Sequence, residues 1–414
     1  MAGRKDVHTL IIGAGTSGLL VAQGLKKAGL PFTIFEQETL STYQTRPREW
    51  GMTLHWGSSH ISKCLPPSLV DRMPETYADP SLSPDAVAGL PVYNGKTGEL
   101  IMEMKAEKPC RVSRRKLRNL FKEGLDIEYG KELVGMREEG GKVRCVFRDG
   151  TESVGDVVVG CDGARSKARE CICGSDAAEL TTVPLTMFNF TEKFEKEQAL
   201  VLRERNPLFI TSIHPDHGTM FWISIQDVPD PDKPETWTFQ LLMSWVNNAL
   251  PEDENNQEGR MKFFKKRAEE YAEPWRSAGR WVKPDTKIPM DPGTYWEKAA
   301  PWDSRGGKMT LCGDAAHPMT PHRGQGLNNA LQDSSKFVSA MEEVASGSKT
   351  LAEAVAAYDK EVLERGLLEM QVSLKQTLFI HNWETLMESP MVKMGMHQAR
   401  KEEGEAASQG LAKE

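Results

Sequence analysis

The stretch "VHTLIIGAGTSGLLVAQGLKKAGLPFTIFEQE", residues 7 to 38, constrains the fold more than any other part of this chain. Leu10, Ile11 and Ile12 make a short all-apolar strand, and Gly13-Ala14-Gly15-Thr16-Ser17-Gly18 follows at once. Leu19, Leu20, Ala22 and Leu25 then recur at helical spacing until Gly29 and Pro31 stop them. A second strand, Thr33 to Glu36, ends in an acid. Each residue type has a job. Gly13 allows the tight turn, Gly15 lets a phosphate approach the backbone, and Gly18 lets helix and strand pack closely. The helix start, Thr16 and Ser17 included, offers free N–H groups and a positive dipole end to a pyrophosphate. Glu36, with Gln37 beside it, stands where a carboxylate can accept from ribose hydroxyls. The pattern predicts dinucleotide binding on a Rossmann-like α/β unit, and by itself it does not separate FAD from NAD.

The chain has 414 residues, room for two domains or one elaborated one. Its formal net charge of -7 is spread along the sequence, which argues against a nucleic-acid partner. No apolar run approaches the roughly 18 residues of a membrane span, so no integral membrane segment is expected. The N-terminus runs straight into a strand pattern without a signal peptide, and a cytoplasmic location is the expectation. Seven cysteines, mostly within apolar stretches, read as free thiols; Cys171-Ile-Cys173 lacks the second pair a zinc site needs, so no metal is expected.

Further along, "RVSRRKLRNL" (111 to 120) reads as a basic helix capped by Ser113. Residues 127 to 159 read as strands turning at Gly140-Gly141 and Asp149-Gly150. From about 183 to 287 the character changes to period-two strands rich in aromatics. "TWTFQLLMSW" sets Trp237, Phe239, Leu241, Met243 and Trp245 on one face and Thr238, Gln240 and Ser244 on the other. The aromatic face is either core, the plainer reading, or pocket lining. His214 and His217 fall in a turn. The strand–turn–helix pattern resumes at 309, so the fold class is α/β, with a β-sheet domain inserted into the nucleotide domain and helices at the C-terminus. The boundaries expected are 1–78, 104–182 and 288–350 for the nucleotide domain, 79–103 and 183–287 for the sheet domain, and 351–414 for a helical segment with a frayed tail.

Two more nucleotide-type segments stand in that order. One is Gly160-Cys161-Asp162-Gly163-Ala164-Arg165-Ser166-Lys167-Ala168-Arg169. The other is Gly313-Asp314-Ala315-Ala316-His317, then Pro321, Gly324-Gln325-Gly326-Leu327-Asn328 and Asp333. Together with the first, they resemble the flavin-dependent monooxygenases of the para-hydroxybenzoate hydroxylase type, and "MTLHWG" (52 to 57) is similar to fungal members from secondary metabolism. The resemblance implies bound FAD. It gives Asp314 a ribityl hydroxyl, runs the loop Gly324 to Asn328 under the flavin pyrimidine edge with Pro321 fixing its approach, and assigns Asp162 and Gly163 to the cofactor's phosphate end. Arg114 matches the arginine that opens the family's first cofactor-facing helix. A helix starting near Gly326 would aim its N-terminal dipole at the negative charge of reduced flavin. His317 reads as a structural, hydrogen-bonded histidine.

The implied cycle has NADH or NADPH, bound transiently, reduce FAD; O2 then adds at flavin C4a, and the hydroperoxide gives one oxygen to an electron-rich carbon of an aromatic, phenol- or indole-type small molecule. Epoxidation and Baeyer–Villiger insertion use the same fold and stay open. A halogenase would show a Trp-x-Trp-x-Ile-Pro motif, which is absent, and a non-catalytic scaffold would show a damaged flavin loop. Arg48, Tyr93 and His55 are candidates for the catalytic group, Arg48 foremost; His55, Trp222, Phe239 and Leu241 are candidate substrate contacts. A monomer or homodimer is expected.

Overall fold

The computed structural model describes residues 6–46, 48–83, 87, 89–105, 109–246, 250–389 and 392; the tail from about 400 lies outside them. Two compact units emerge. Unit 1 comprises Met1–Tyr77, Val112–Val183 and Thr294–Leu374; unit 2 comprises Ala78–Arg111, Pro184–Gly293 and Lys375–Glu414.

Unit 1 is built on a five-stranded parallel sheet in the order Met309–Leu311, Val157–Gly160, Thr9–Ile12, Phe32–Glu36, Ile127–Tyr129. Every residue of Thr9–Ile12 and of Val157–Gly160 is buried, as a parallel sheet covered on both faces demands. Its central strand feeds the helix Thr16–Ala28, which ends where Gly29 turns left-handed (φ 63°). A Cβ on Gly18 would stand 2.0 Å from the Gly13 carbonyl oxygen, so only glycine lets the helix leave the strand at this distance. Gly18→Ala is expected to cost about 1–3 kcal/mol of stability, because neither backbone can retreat. Thermal melts of the variant would check it; an unchanged melting temperature would show that the corner yields. A second helix, Gly326–Ala345, lies along the first: a Cβ on Gly24 would meet Val338 Cγ2 at 2.6 Å. The antiparallel strands Leu133–Glu139, Lys142–Phe147 and Glu152–Gly155 turn through Gly140 and Gly141 and through Gly150, all at positive φ.

Unit 2 carries a seven-stranded sheet in the order Met290–Tyr295, Thr181–Lys193, Thr238–Val246, Met220–Asp227, Phe209–Ile213, Gly89–Asn94, Leu100–Lys105. Trp237, Phe239, Leu241, Met243 and Trp245 all point into one core, where Phe264, Tyr271 and Trp275 from the helical side meet them. Period two decides this: one face must be apolar throughout to seat helices. His214 and His217 stack at 3.9 Å in a turn closed by the Gly218 N–H donating to the His214 carbonyl. No described helix is long and apolar enough to cross a membrane. All seven cysteines are free.

Candidate functional site

A crevice of about 540 Å³ opens where the strands Thr9–Ile12 and Phe32–Glu36 end. Gly13, Gly15, Glu36, Gln37, Arg114, Asp162 and Gly163 line it, as do Arg46, Arg118, Lys131, Arg148, Arg165 and Lys167. Seven cations therefore stand against three carboxylates, Glu36, Glu132 and Asp162. Several cations are neutralised within the protein: Arg46 by Glu38, Lys131 by Asp149, Arg148 by Glu132 and Lys167 by Glu170. Arg114 is different. It opens the helix Arg114–Phe121, which Ser113 caps by accepting from the Lys116 N–H. Its guanidinium lies 4.5 Å from the Trp50 ring centroid, and its Nη1, buried, has no hydrogen-bond partner among the described residues. Burial foremost, then the charges of Arg118 and Arg46, lower its pKa to about 10, so it stays cationic at neutral pH.

Sequence reasoning missed Arg118. It sits one turn after Arg114, and that i, i+4 spacing on a basic helix was the available signal. Its guanidinium lies 3.8 Å from the Tyr43 ring centroid, and the Tyr43 hydroxyl donates to the Ala14 carbonyl at 2.8 Å. Glu36 braces the same turn: its carboxylate accepts from the Ala14 N–H at 2.9 Å and the Glu38 N–H at 3.0 Å.

The second corner is held by its own acid. Asp162 accepts from the Ser166 hydroxyl (2.5 Å) and from the N–H groups of Lys167 (2.7 Å) and Ala168 (3.0 Å), starting the helix Lys167–Cys173. This carboxylate is spent on the helix start, so Asp162 acts first as a cap. Arg169, buried, donates from Nη1 to the Ala315 carbonyl at 3.0 Å and from Nη2 to the Ala164 carbonyl at 2.6 Å, tying the second corner to the third.

The third corner turns at Gly313 (φ 66°), where a Cβ would come within 2.5 Å of Ser17 Oγ in the first helix turn. Its N–H donates to Asp333 Oδ2 at 2.7 Å, and His317 Nε2 reaches the same oxygen at 2.6 Å; Arg365 holds Oδ1. His317 and Asp333 are completely buried. Burial pulls the His317 pKa down, but the Asp333 charge and hydrogen bond carry it above the ordinary 6.5, and the same pairing holds Asp333 below 3.8 despite its burial. The histidine's contribution to stability is therefore complete below pH 6.5 and is lost as pH rises through its raised folded value. That of Asp333 is present above its ordinary 3.8 and is lost as pH falls through its depressed one. Melting temperature against pH should thus decline on the alkaline side of about 6.5 in the wild type and less in His317→Gln; identical profiles would exclude the pair as the cause.

Asp314, next to this network, has no hydrogen bond among the described residues. It lies deep among protein atoms, which raises its carboxyl above the usual range against the pull of His317 and Arg114, yet its side chain remains open to solvent. The loop beyond runs through Pro321 to a left-handed Gly324 (φ 64°), and the helix begins at Gly326, with no side chain among the described residues capping its first N–H groups. Asn328 does not face outward: Oδ1 accepts from the N–H groups of His55 (2.9 Å) and Gly57 (3.2 Å), and Nδ2 donates to the carbonyls of Thr53 and Gly324. Its amide is a clamp on the "MTLHWG" loop, a correction to its reading as a cofactor contact.

The structure also moves other candidates. Phe239 and Leu241 are 1% and 0% exposed within the unit 2 core, so neither lines a pocket. Trp222 lies half-buried on the sheet's other face. Tyr93 packs against Trp275 with Arg205 over its ring; burial raises its pKa, the wrong direction for a base. Arg48 rests 5.8 Å from the Trp50 ring centroid, and a guanidinium does not give up its proton at neutral pH, so it is no general base. His55 is tied through its backbone N–H to Asn328.

Three nucleotide-type corners on one parallel sheet, the first two of them lining a crevice rich in cations, define a dinucleotide-binding protein. A family model described as FAD binding domain matches residues 83–370. The FAD-dependent monooxygenase phnB of Penicillium herquei is 37% identical over 97% of this chain and 99% of its own. The FAD-dependent monooxygenase cctM of Talaromyces islandicus is 35% identical over 94% and 97%. Klebsiella pneumoniae HpxO, solved in complex with FAD and uric acid, shares the fold at a TM-score of 0.70 and 18% identity, covering 98% of this chain and 95% of that one. The chain belongs to the FAD-dependent monooxygenases, and its dinucleotide is FAD.

The residues present fit that cofactor. Apart from the Cys161 carbonyl at 3.9 Å, nothing crowds the place where a Gly15 Cβ would be, so the backbone there is open to a phosphate. The buried, unpartnered Nη1 of Arg114 supplies a cationic donor in the same crevice.

Proposed function

We propose that this enzyme uses NADH or NADPH and O2 to hydroxylate an aromatic or polycyclic phenol- or indole-type small molecule. When bound, FAD supplies the redox chemistry, taking hydride from the nicotinamide and activating O2. The chain's own residues bind and orient. The N–H groups from Gly15 to Gly18 receive the pyrophosphate, with Thr16 and Ser17 in the first helix turn and Arg114 as countercharge. Glu36 and Gln37 take the adenosine ribose. Asp314 accepts from the ribityl chain. Gly324 to Leu327 bring the positive end of the helix Gly326–Ala345 to the ring edge that becomes negative on reduction. Gly163 leaves the second corner open, with nothing within 4 Å of its Cβ position, for the phosphate end. Asp333, His317 and Arg169 position these groups without touching the cofactor.

The observation that carries this reading is the buried cation with an unmet donor at the glycine corner, in a chain of FAD-dependent monooxygenase kinship. Mass spectrometry of products from a panel of phenols and indoles, supplied with each nicotinamide in turn, tests it. The expected result is substrate-stimulated NAD(P)H oxidation and a product heavier by one oxygen. Ring-expanded lactones would move the reaction to Baeyer–Villiger insertion and epoxides to epoxidation; no stimulation by any aromatic would sink the proposal.

A further inference from the structure

The face of the unit 2 sheet opposite its aromatic core carries a buried polar patch beside an apolar cluster that includes Met220 and Leu242. Trp222 and Ser224 share this face, since alternate residues of a strand point the same way, and Gln240 lies directly across from Ser224. The Arg111 guanidinium is laid against them. Its Nη2 donates to Ser224 Oγ at 3.2 Å and to Gln240 Oε1 at 3.1 Å, and its central carbon stands 4.7 Å from the Trp222 ring centroid. Gln240 Nε2 donates onward to Asn189 Oδ1 at 2.8 Å. Arg111 is only 4% exposed, and burial lowers its pKa to about 9, which leaves it charged at neutral pH.

Two residues beyond Ser224 the ladder slips. Ile225 pairs with Phe239 but Asp227 pairs with Thr238, so Gln226 is the extra residue of a β-bulge. Bulges re-aim side chains, and they concentrate beside active sites. Gln226 is 3% exposed, and neither its Oε1 nor its Nε2 has a hydrogen-bond partner among the described residues. A buried amide unmet at both ends is rare in a native fold and calls for a ligand group or water to satisfy it.

We propose that the Gln226 amide and the Arg111 guanidinium recognise the oxygen atoms of a polyhydroxylated aromatic substrate, one of them ionised. The assignment rests on the aromatic-hydroxylase reading above and narrows it from phenol or indole to polyphenol. A buried guanidinium beside an indole ring prefers a phenolate, and an amide offers a donor and an acceptor to a neighbouring hydroxyl. Indole brings one N–H, which the amide oxygen could take, and offers nothing to the cation.

The test titrates FAD-loaded enzyme with 1,3-dihydroxynaphthalene and with indole, following the flavin absorbance. The wild type is expected to bind the diol at least about tenfold more tightly, and Gln226→Leu to reduce that ratio by about tenfold. Because leucine leaves no polar atom unmet, the melting temperature of Gln226→Leu should match or exceed that of the wild type; Gln226→Met should repeat both results. A variant that melts lower and keeps the wild-type preference would make the amide structural and overturn the assignment. Equal affinity of the wild type for both probes would overturn it while leaving the aromatic reading intact. Binding of neither would remove that reading and this assignment together.

Discussion

Asp314→Ala is expected to purify without the yellow of bound flavin. The wild-type carboxylate has no internal partner among the described residues, is open to solvent, and sits beside the start of the helix Gly326–Ala345, with Oδ1 3.8 Å from where a Gly326 Cβ would be. A carboxylate accepting from a hydroxyl in a partly enclosed site contributes about 1.5–3 kcal/mol, so FAD affinity should fall roughly 10- to 100-fold. Since the substitution breaks no bond within the protein, the stability of the FAD-free form should hardly change. Flavin absorbance per polypeptide and a fluorescence titration with FAD read the first effect; thermal melts of the stripped protein read the second. Full flavin occupancy in the variant would remove Asp314 from the site.

The second large effect is expected at Asp333, the same residue type and opposite in kind. Its carboxylate serves the Gly313 N–H, His317 and Arg365 simultaneously, with no exposure. Asp333→Ala strands a buried cation and an unmet N–H, a loss of about 3–5 kcal/mol. Melting temperature should drop clearly, and FAD occupancy should fall with it, because the Gly313 turn that presents Asp314 loses its anchor. Two units need not unfold together, so calorimetry that resolves separate transitions is the better measurement: the lower transition should belong to unit 1. A wild-type melting profile in this variant would mean that the network is ornamental. The two substitutions thus separate binding from support. One empties the site of a sound protein; the other weakens the protein that holds the site.

Much of the nucleotide unit was legible before any coordinates because its determinants are local. Strand, glycine turn and helix occupy adjacent residues, and the constraint that makes Gly18 a glycine acts across five positions. The helix start at Gly326, the Ser113 cap and the turns at Gly140-Gly141 and Asp149-Gly150 were readable for the same reason. Period two likewise assigned the aromatic face of Thr238–Val246.

What failed to be legible depends on partners distant in the chain. Asn328 looked like a cofactor contact until its amide was seen holding Thr53, His55 and Gly57, more than 270 positions earlier. Phe239 and Leu241 were named as substrate contacts although they share the core face, because a strand pattern tells which residues share a face and not which face a ligand meets. Arg118 and Gln226 went unremarked. The first needed the crevice to give its helical spacing a meaning, and the second needed a one-residue slip in the ladder that no periodicity announces.

The amino-acid order by itself determined the three phosphate- and flavin-type corners, the α/β class and the family kinship, since backbone conformation and short-range packing follow from neighbours in the chain. Which carboxylates are free and which are consumed was decided only by tertiary structure. Asp314 stays open while Asp162 caps a helix and Asp333 anchors a turn, and all three are aspartates beside a glycine or within a helix in the sequence. A hydrogen bond is a matter of distance and direction in space, and a side chain's chemistry is what remains after those bonds have been made.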